Sequence, residues 1–420
     1  MFKTLANAWA IPELRKKLIF TALILLVFCV GGAVPVPYVD TKMLSDGVLD
    51  TVMSGTILGL YNMMSGSALS QATVLALGIQ PYINSSIIVQ LLTIAIPVLE
   101  RWSKEEGEEG KKKLNILTRI VTIALGLLMG WAYYMMLSSY NGLITETGFI
   151  PGLVIVLVFA AGSCFVMWLG EQITEHGIGN GISMILFANI IAGLPNLFAQ
   201  MFSFAWWLSL IMVIGFAALV ILIVFVNDAE RRIPVQYAKR VVGRKIYGGQ
   251  STDLPIKVSM TGVMPVIFAQ SIASLPATIY AFAGWSLDTW MYKNVWSSTS
   301  WLYAIGYALL IFFFSWFYST IQYDPVEISN NLKKNGGFIP GFRPGKPTAE
   351  FIKKVINKIV VFGAVYLSVV ALLPIIAGNL TESSLAIGGT SIIILVSVAL
   401  ETVKALEAQM LMRHYKGFLD

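Results

Sequence analysis

Ten apolar runs, each close to the length that crosses a bilayer, leave this chain few ways to fold. They lie at about 18–36, 73–99, 115–138, 150–169, 179–200, 205–226, 257–283, 301–320, 357–377 and 384–404. A spanning helix needs roughly 20 mostly apolar residues. In lipid every backbone N–H and C=O must be paired inside the protein, and a helix does this within one segment. Only 12% of the residues are charged, against about 25% in a soluble domain. So few charges cannot cover a water-facing surface, which excludes soluble enzyme folds and nucleic-acid modules. The first run follows Arg15, Lys16 and Lys17, as a signal peptide would. It lacks a small-residue cleavage site and leads into further runs, so a retained first helix is expected.

The basic residues orient the spans. All but two of the 29 Lys and Arg fall in the N-terminal segment, the 100–119, 227–257 and 321–358 loops, and the tail; Lys42 and Lys293 are the exceptions. Cytoplasmic loops carry the Lys/Arg excess, so both termini and the even-numbered loops are expected in the cytoplasm. Loops 227–257 and 321–358 are longer than a bare connection needs. Two readings fit them: topology signals, or a docking surface for something large and acidic, such as RNA or an acidic protein. Arg231-Arg232-Ile233-Pro234, Lys239-Arg240 and Arg244-Lys245 crowd the first loop. In the second, Pro340-Gly341-Phe342-Arg343-Pro344-Gly345 is a turn-rich tip that presents one arginine, and such tips suit contact better than packing.

A repeat runs through the chain. Span two opens on Gly78-Ile79-Gln80-Pro81 and span seven on Gly262-Val263-Met264-Pro265. Span five opens on Gly179-Asn180-Gly181-Ile182-Ser183, and span ten on Gly388-Gly389-Thr390-Ser391-Ile392. A five-helix offset is odd, so the two halves enter the membrane in opposite senses, the mark of an inverted repeat with a central pathway. The competing reading is that Gly and Pro are common in membrane helices.

Ionisable residues deep in a membrane mark ion or proton pathways, and the spans hold essentially none. Glu171, Glu175, Asp324, Glu401, Lys404 and Glu407 all sit at cytoplasmic ends. This argues against an ion-coupled transporter and a charged filter. The interrupted spans carry aliphatics instead: Ile79 and Ile83, Ile182 and Leu186, Ile267, and Ile392 to Ile394. Residues four apart share a helix face. They could meet as a hydrophobic constriction that resists ions by dewetting, or serve ordinary packing. Residues 55–69 are apolar but too short to span, which suggests a re-entrant or surface-lying piece. Neither His176 and His414 nor Cys29 and Cys164 form a catalytic or metal cluster. Gly177 to Gly181 joins two membrane helices, which fails the context test for a nucleotide loop. No enzyme, cofactor or metal is expected.

Two stretches carry a specific resemblance: Gly78-Ile79-Gln80-Pro81-Tyr82-Ile83 within 76–92, and Gly170-Glu171-Gln172-Ile173-Thr174-Glu175-His176-Gly177 within 170–183. With Tyr237-Ala238-Lys239-Arg240, the Arg343 tip and Gly388-Gly389-Thr390-Ser391, they are similar to the SecY family, the channel-forming subunits of bacterial Sec translocases. The resemblance implies an all-α polytopic membrane protein. Its ten transmembrane helices would form a clam shell of inverted five-helix halves, 1–200 and 201–420, hinged near 194–197 at the external connection of spans five and six. It implies a pore ring of Ile79, Ile83, Ile182, Leu186, Ile267 and Ile394. A short plug at about 55–66 would include Ile57, Leu58, Leu60, Tyr61, Asn62, Met63 and Met64. A lateral gate would lie between spans two and three and spans seven and eight, with Ser86 and Gln90 on it. Arg244, Lys245 and Arg343 would dock the ribosome, through ribosomal RNA, or the SecA motor. The other implied partners are SecE and SecG, signal peptides, unfolded secretory polypeptides and membrane lipid, in the bacterial cytoplasmic membrane. Family members often have Arg where Cys29 lies and Ile where Leu186 lies. The residues alone leave a small-solute secondary transporter with inverted repeats as the rival.

Overall fold

A computed structural model describes residues 7–40, 62, 65–66, 68–104, 106–138, 142–146, 148–202, 206–237, 240–242, 245–247, 251–259, 262–273, 275–276, 289–296, 300–381 and 389–416. Each of the ten predicted runs contains a helix. In chain order these are α1 (Pro12–Gly31), α2 (Gln80–Ala95), α4 (Gly107–Ser138), α5 (Phe149–His176), α6 (Gly181–Phe202), α7 (Trp206–Asp228), α8 (Met264–Ala273), α9 (Trp301–Gln322), α11 (Lys346–Thr381) and α12 (Gly389–Lys416). Two short helices, α3 (Pro97–Lys104) and α10 (Pro325–Lys334), and a π-helical turn, Tyr292–Trp296, are also described. Among the described residues, five helices are by themselves long and apolar enough to cross a membrane, or six if the bent α2–α3 pair is one span.

Local chemistry explains where the helices stop. The predicted second span begins at 73, but α2 begins at Gln80. Gly78 adopts φ +53°, a left-handed conformation that glycine tolerates and a helix interior does not. Pro81 then sits in the first helical turn, where its missing N–H costs nothing. Residues 68–79 form turns instead, and Thr73 bridges to Pro35 after α1. At the other end Ile96 is extended before Pro97, as a residue preceding proline prefers. There α3 turns 108° away from α2. The hinge expected at 194–197 lies inside α6, with Pro195 interrupting that helix rather than a connection.

The repeat is visible in the backbone. Gly262 adopts φ +58°, matching Gly78. Each glycine lies two residues before its helix, and each helix has proline second, Pro81 in α2 and Pro265 in α8.

The sequence suggested no strands, yet loop 227–257 folds as β-sheet. β1 (Glu230–Tyr237) pairs antiparallel with β4 (Ser251–Lys257), Ile233 opposite Leu254. The end of β1 also pairs with β5 (Gly337–Phe338), and β2 (Arg240–Val242) forms a hairpin with β3 (Lys245–Tyr247). The cause is period-two alternation: Ile233 and Val235 are buried while Arg232, Pro234 and Gln236 are exposed. Ile233, Val235 and Ile256 pack on Ile339, Ile352, Ile356 and Val360, a small core apart from the main one. That core holds the 321–358 segment, with α10 and the start of α11, against the sheet.

Candidate functional site

The six predicted ring residues all belong to one large apolar cluster. Ile79, Ile83, Leu186 and Ile394 are buried in the largest apolar cluster, and Ile182 and Ile267 pack against it, half-buried. They come from α2, α6, α8 and α12, the interrupted helices of both repeats. Leu186, Ile267 and Ile394 also line one cavity of about 520 Å³. Its other walls are Leu254, Ile256 and Lys257 of β4, with Tyr323, Ile328 and Ile356 from the segment after α9. Aliphatics of α6, α8 and α12 thus share this cavity with residues of the sheet region. In that lining burial, and less so Tyr318, pushes the Tyr323 phenol up, so it stays neutral. Charge there comes from Lys257 and Glu401.

The glycine-rich turn before α6 aims two ring residues. Thr174 Oγ1 donates to the Gly170 carbonyl and accepts from the Gly181 N–H, both at 2.9 Å. Asn180 Oδ1 caps the new helix by accepting from the N–H of Ile182 at 3.0 Å; such a cap satisfies a donor the helix cannot. Gly179 takes φ +72° to make the turn. A Cβ on Gly181 would lie 1.9 Å from the Gly170 carbonyl oxygen, so only glycine lets α5 and α6 approach this closely. Ile182 and Leu186, one turn apart, leave this fixed start toward the cluster. On the far side Thr402 of α12 meets Met184 of α6 at 3.4 Å.

Of the predicted plug, Asn62 is described; Ile57, Leu58, Leu60, Tyr61, Met63 and Met64 lie outside the described residues. Asn62 Oδ1 accepts from the Ser70 N–H at 2.8 Å, and its carbonyl accepts from Ser65 Oγ at 2.9 Å. Gly66, at φ +67°, lies so near Asn189 of α6 that a Cβ would be 3.1 Å from its Oδ1. Gly66 therefore lies against α6, about one turn beyond Leu186.

At the predicted gate, α2 packs on α4, where Ser85 Oγ donates to the Thr118 carbonyl at 2.6 Å, while α8 packs on α9. Gln90 of α2 lies near the hydroxyl of Tyr318 on α9. The Tyr318 ring meets Phe268 of α8 edge-on at 5.8 Å, and it also borders the cavity. Ser86 is half-buried on α2. The sequence did not single out Tyr318, which sits in an aromatic-rich run with nothing to distinguish it.

Of the predicted docking residues, Arg343 is exposed at the tip between β5 and α11. Lys245 begins β3, and Arg244 lies outside the described residues.

Comparison with known proteins agrees with this architecture. The SecY family model matches residues 73–403. A protein translocase subunit SecY from Streptomyces galbus is 43% identical over the full length of both chains. A solved structure described as a protein conducting channel superposes with a TM-score of 0.67 at 18% identity, covering 97% of each chain. Sec61 from a canine ribosome-channel complex gives a TM-score of 0.62 at 17% identity, again covering 97% of each. The chain belongs to the SecY family.

Proposed function

We propose that this chain is the channel-forming subunit of a bacterial Sec translocase. It passes unfolded secretory polypeptides across the cytoplasmic membrane and releases apolar segments sideways into lipid. The observation that carries this reading is the membership of aliphatics from both repeats in one apolar cluster, part of which shares a cavity with the sheet region. Residues 1–200 and 201–420 act as the two halves. Ile79, Ile83, Ile182, Leu186, Ile267 and Ile394 form the constriction, and residues 55–66 are its plug. Apolar side chains suit this work because they repel ions yet hold no passing sequence strongly. The transporter alternative gains no support, since the sequence places no ionisable residue deep in the spans.

Sideways release is a partition between pore and lipid. A passing helix gains about 0.5 kcal/mol from lipid for each central Leu and loses about 3 kcal/mol for each central charge. A segment rich in leucine leaves through the seam where Gln90 and Tyr318 meet, with Ser86 beside it, and a polar segment goes through. The channel hydrolyses nothing; SecA or the ribosome supplies the energy, with SecE and SecG beside it in the membrane. Both termini lie in the cytoplasm, on the side of the basic loops. Signal peptides open the seam from within.

Cysteines placed at Ile79, Ile83 and Ile267 will crosslink to a stalled secretory chain, whereas cysteines at lipid-facing Leu309 or Phe225, both widely exposed, will not. No crosslink at any ring position would remove the pore assignment. Arg343→Glu should cut SecA-dependent translocation at least tenfold while SecE and SecG still copurify. Normal translocation by that variant would take Arg343 out of the docking surface. Ribosome docking through Arg244, Lys245 and Arg343 should weaken steeply with salt, because phosphate contacts release counterions.

A further inference from the structure

The Arg343 tip is held from below by groups that do not reach its surface. Ser329 Oγ, from α10, donates to the Gly345 carbonyl at 2.8 Å. Thr348 Oγ1, from the first turn of α11, donates to the Arg343 carbonyl at 2.8 Å. Both residues are 2% exposed. Phe342, on the other side of Arg343, stacks on Phe351 with ring centroids 4.3 Å apart. The Gly345 carbonyl also accepts the first hydrogen bond of α11, from the Ala349 N–H at 3.0 Å. Gly341 and Gly345, at φ +88° and +104°, turn the chain at either end. Six residues of surface loop are thus tied at both carbonyls flanking Pro344, while the Arg343 side chain is left exposed.

A loop that must become ordered on binding loses affinity to that ordering, and one already ordered does not. An isolated surface arginine needs no buried hydroxyls beneath it. Two of them, from different helices and converging on carbonyls two residues apart in one tip, make sense where the tip must keep its shape under load. We infer that Ser329 and Thr348 are positioning residues that fix the backbone on both sides of Pro344, directly after Arg343, so that its guanidinium meets an acidic cytoplasmic partner already in place. This inference rests on the docking role of Arg343 proposed above.

The test uses the reconstituted complex with purified SecA as the probe. Thr348→Val and Ser329→Ala should each raise hydrogen exchange at the Arg343 and Gly345 amides and weaken SecA binding about fivefold, the equivalent of one hydrogen bond of about 1 kcal/mol. Thr348→Ser should restore both, and the melting temperature should hold. Should Thr348→Val fail to fold, Gly345→Ala loosens the same tip. Its Cβ would meet nothing within 4 Å, yet its φ disfavours any side chain. Faster exchange with unchanged SecA affinity, in a background where Arg343→Glu does weaken binding, would overturn the positioning role alone. Unchanged exchange in both hydroxyl variants would overturn it too. Wild-type binding by Arg343→Glu would instead overturn the docking reading, and this inference with it.

Discussion

Vesicles holding a variant that lacks residues 55–66 will conduct ions at rest, where the full-length chain keeps them sealed. Gly66, at the end of that segment, lies against Asn189 on α6. Asn189 and Leu186 are three apart, which places them on one helix face, and Leu186 belongs to the aliphatic cluster. An apolar segment anchored there lies within reach of the constriction and can cover it without crossing the membrane. The ring alone closes by dewetting, which depends on width; a ring that must part for polypeptide fluctuates in width, so a second closure is needed. Planar-bilayer recordings should show stable open events for the deletion and none for the parent. Tight sealing after the deletion would end the plug assignment and leave the ring as the whole barrier. Replacing Gly66 with Ala is a milder form of the same experiment. Its φ of +67° and the 3.1 Å approach to Asn189 both oppose a side chain, so the anchor should slip while the segment remains.

How much of this was readable beforehand depends on the length scale of the signal. Apolar runs are a one-dimensional property, so each of the ten holds a helix, although among the described residues only five or six are long and apolar enough to cross a membrane. The Gly-x-x-Pro repeat was also legible, because a left-handed glycine followed by a proline in the first helical turn has few other uses. Composition could not separate the turns at 73–79 from α2, since both are apolar and only Gly78 and Pro81 mark the change. The β-sheet escaped because its arginines and prolines drew attention to charge, while the alternation of Ile233 with Val235 and of Leu254 with Ile256 went unread. The seam contact escaped for another reason. Gln90 was visible as a polar residue in an apolar helix, but its partner Tyr318 lies far away in sequence, among Phe312, Phe313, Phe314, Trp316 and Phe317. Only the fold says which aromatic faces α2. Likewise Ser329 and Thr348 are unremarkable in sequence, and their convergence on one loop exists only in three dimensions.

Gly181→Ala will fail to accumulate as folded protein, or will lose at least about 3 kcal/mol of stability, the upper part of the usual range for overpacking. The added methyl would sit 1.9 Å from the Gly170 carbonyl oxygen, 2.8 Å from the Gly170 carbonyl carbon and 2.8 Å from Ile173 Cβ. Two of those atoms are backbone and cannot rotate aside. To admit it, α5 and α6 must separate, which breaks the Thr174 bridge between Gly170 and Gly181 and shifts Ile182 and Leu186 together. Gly215→Ala in α7 is the control. Nothing lies within 4 Å of its Cβ, and alanine is the better helix former by about 1 kcal/mol, so that variant should melt no lower than the parent. Detergent-solubilised complexes followed by thermal melting and size exclusion will separate the two. If Gly181→Ala melts like the parent but leaks ions, the turn positions the ring without governing stability. If it matches the parent in both, the close approach of α5 and α6 has no consequence, and the aim of Ile182 and Leu186 must be set from α12, where Thr402 meets Met184.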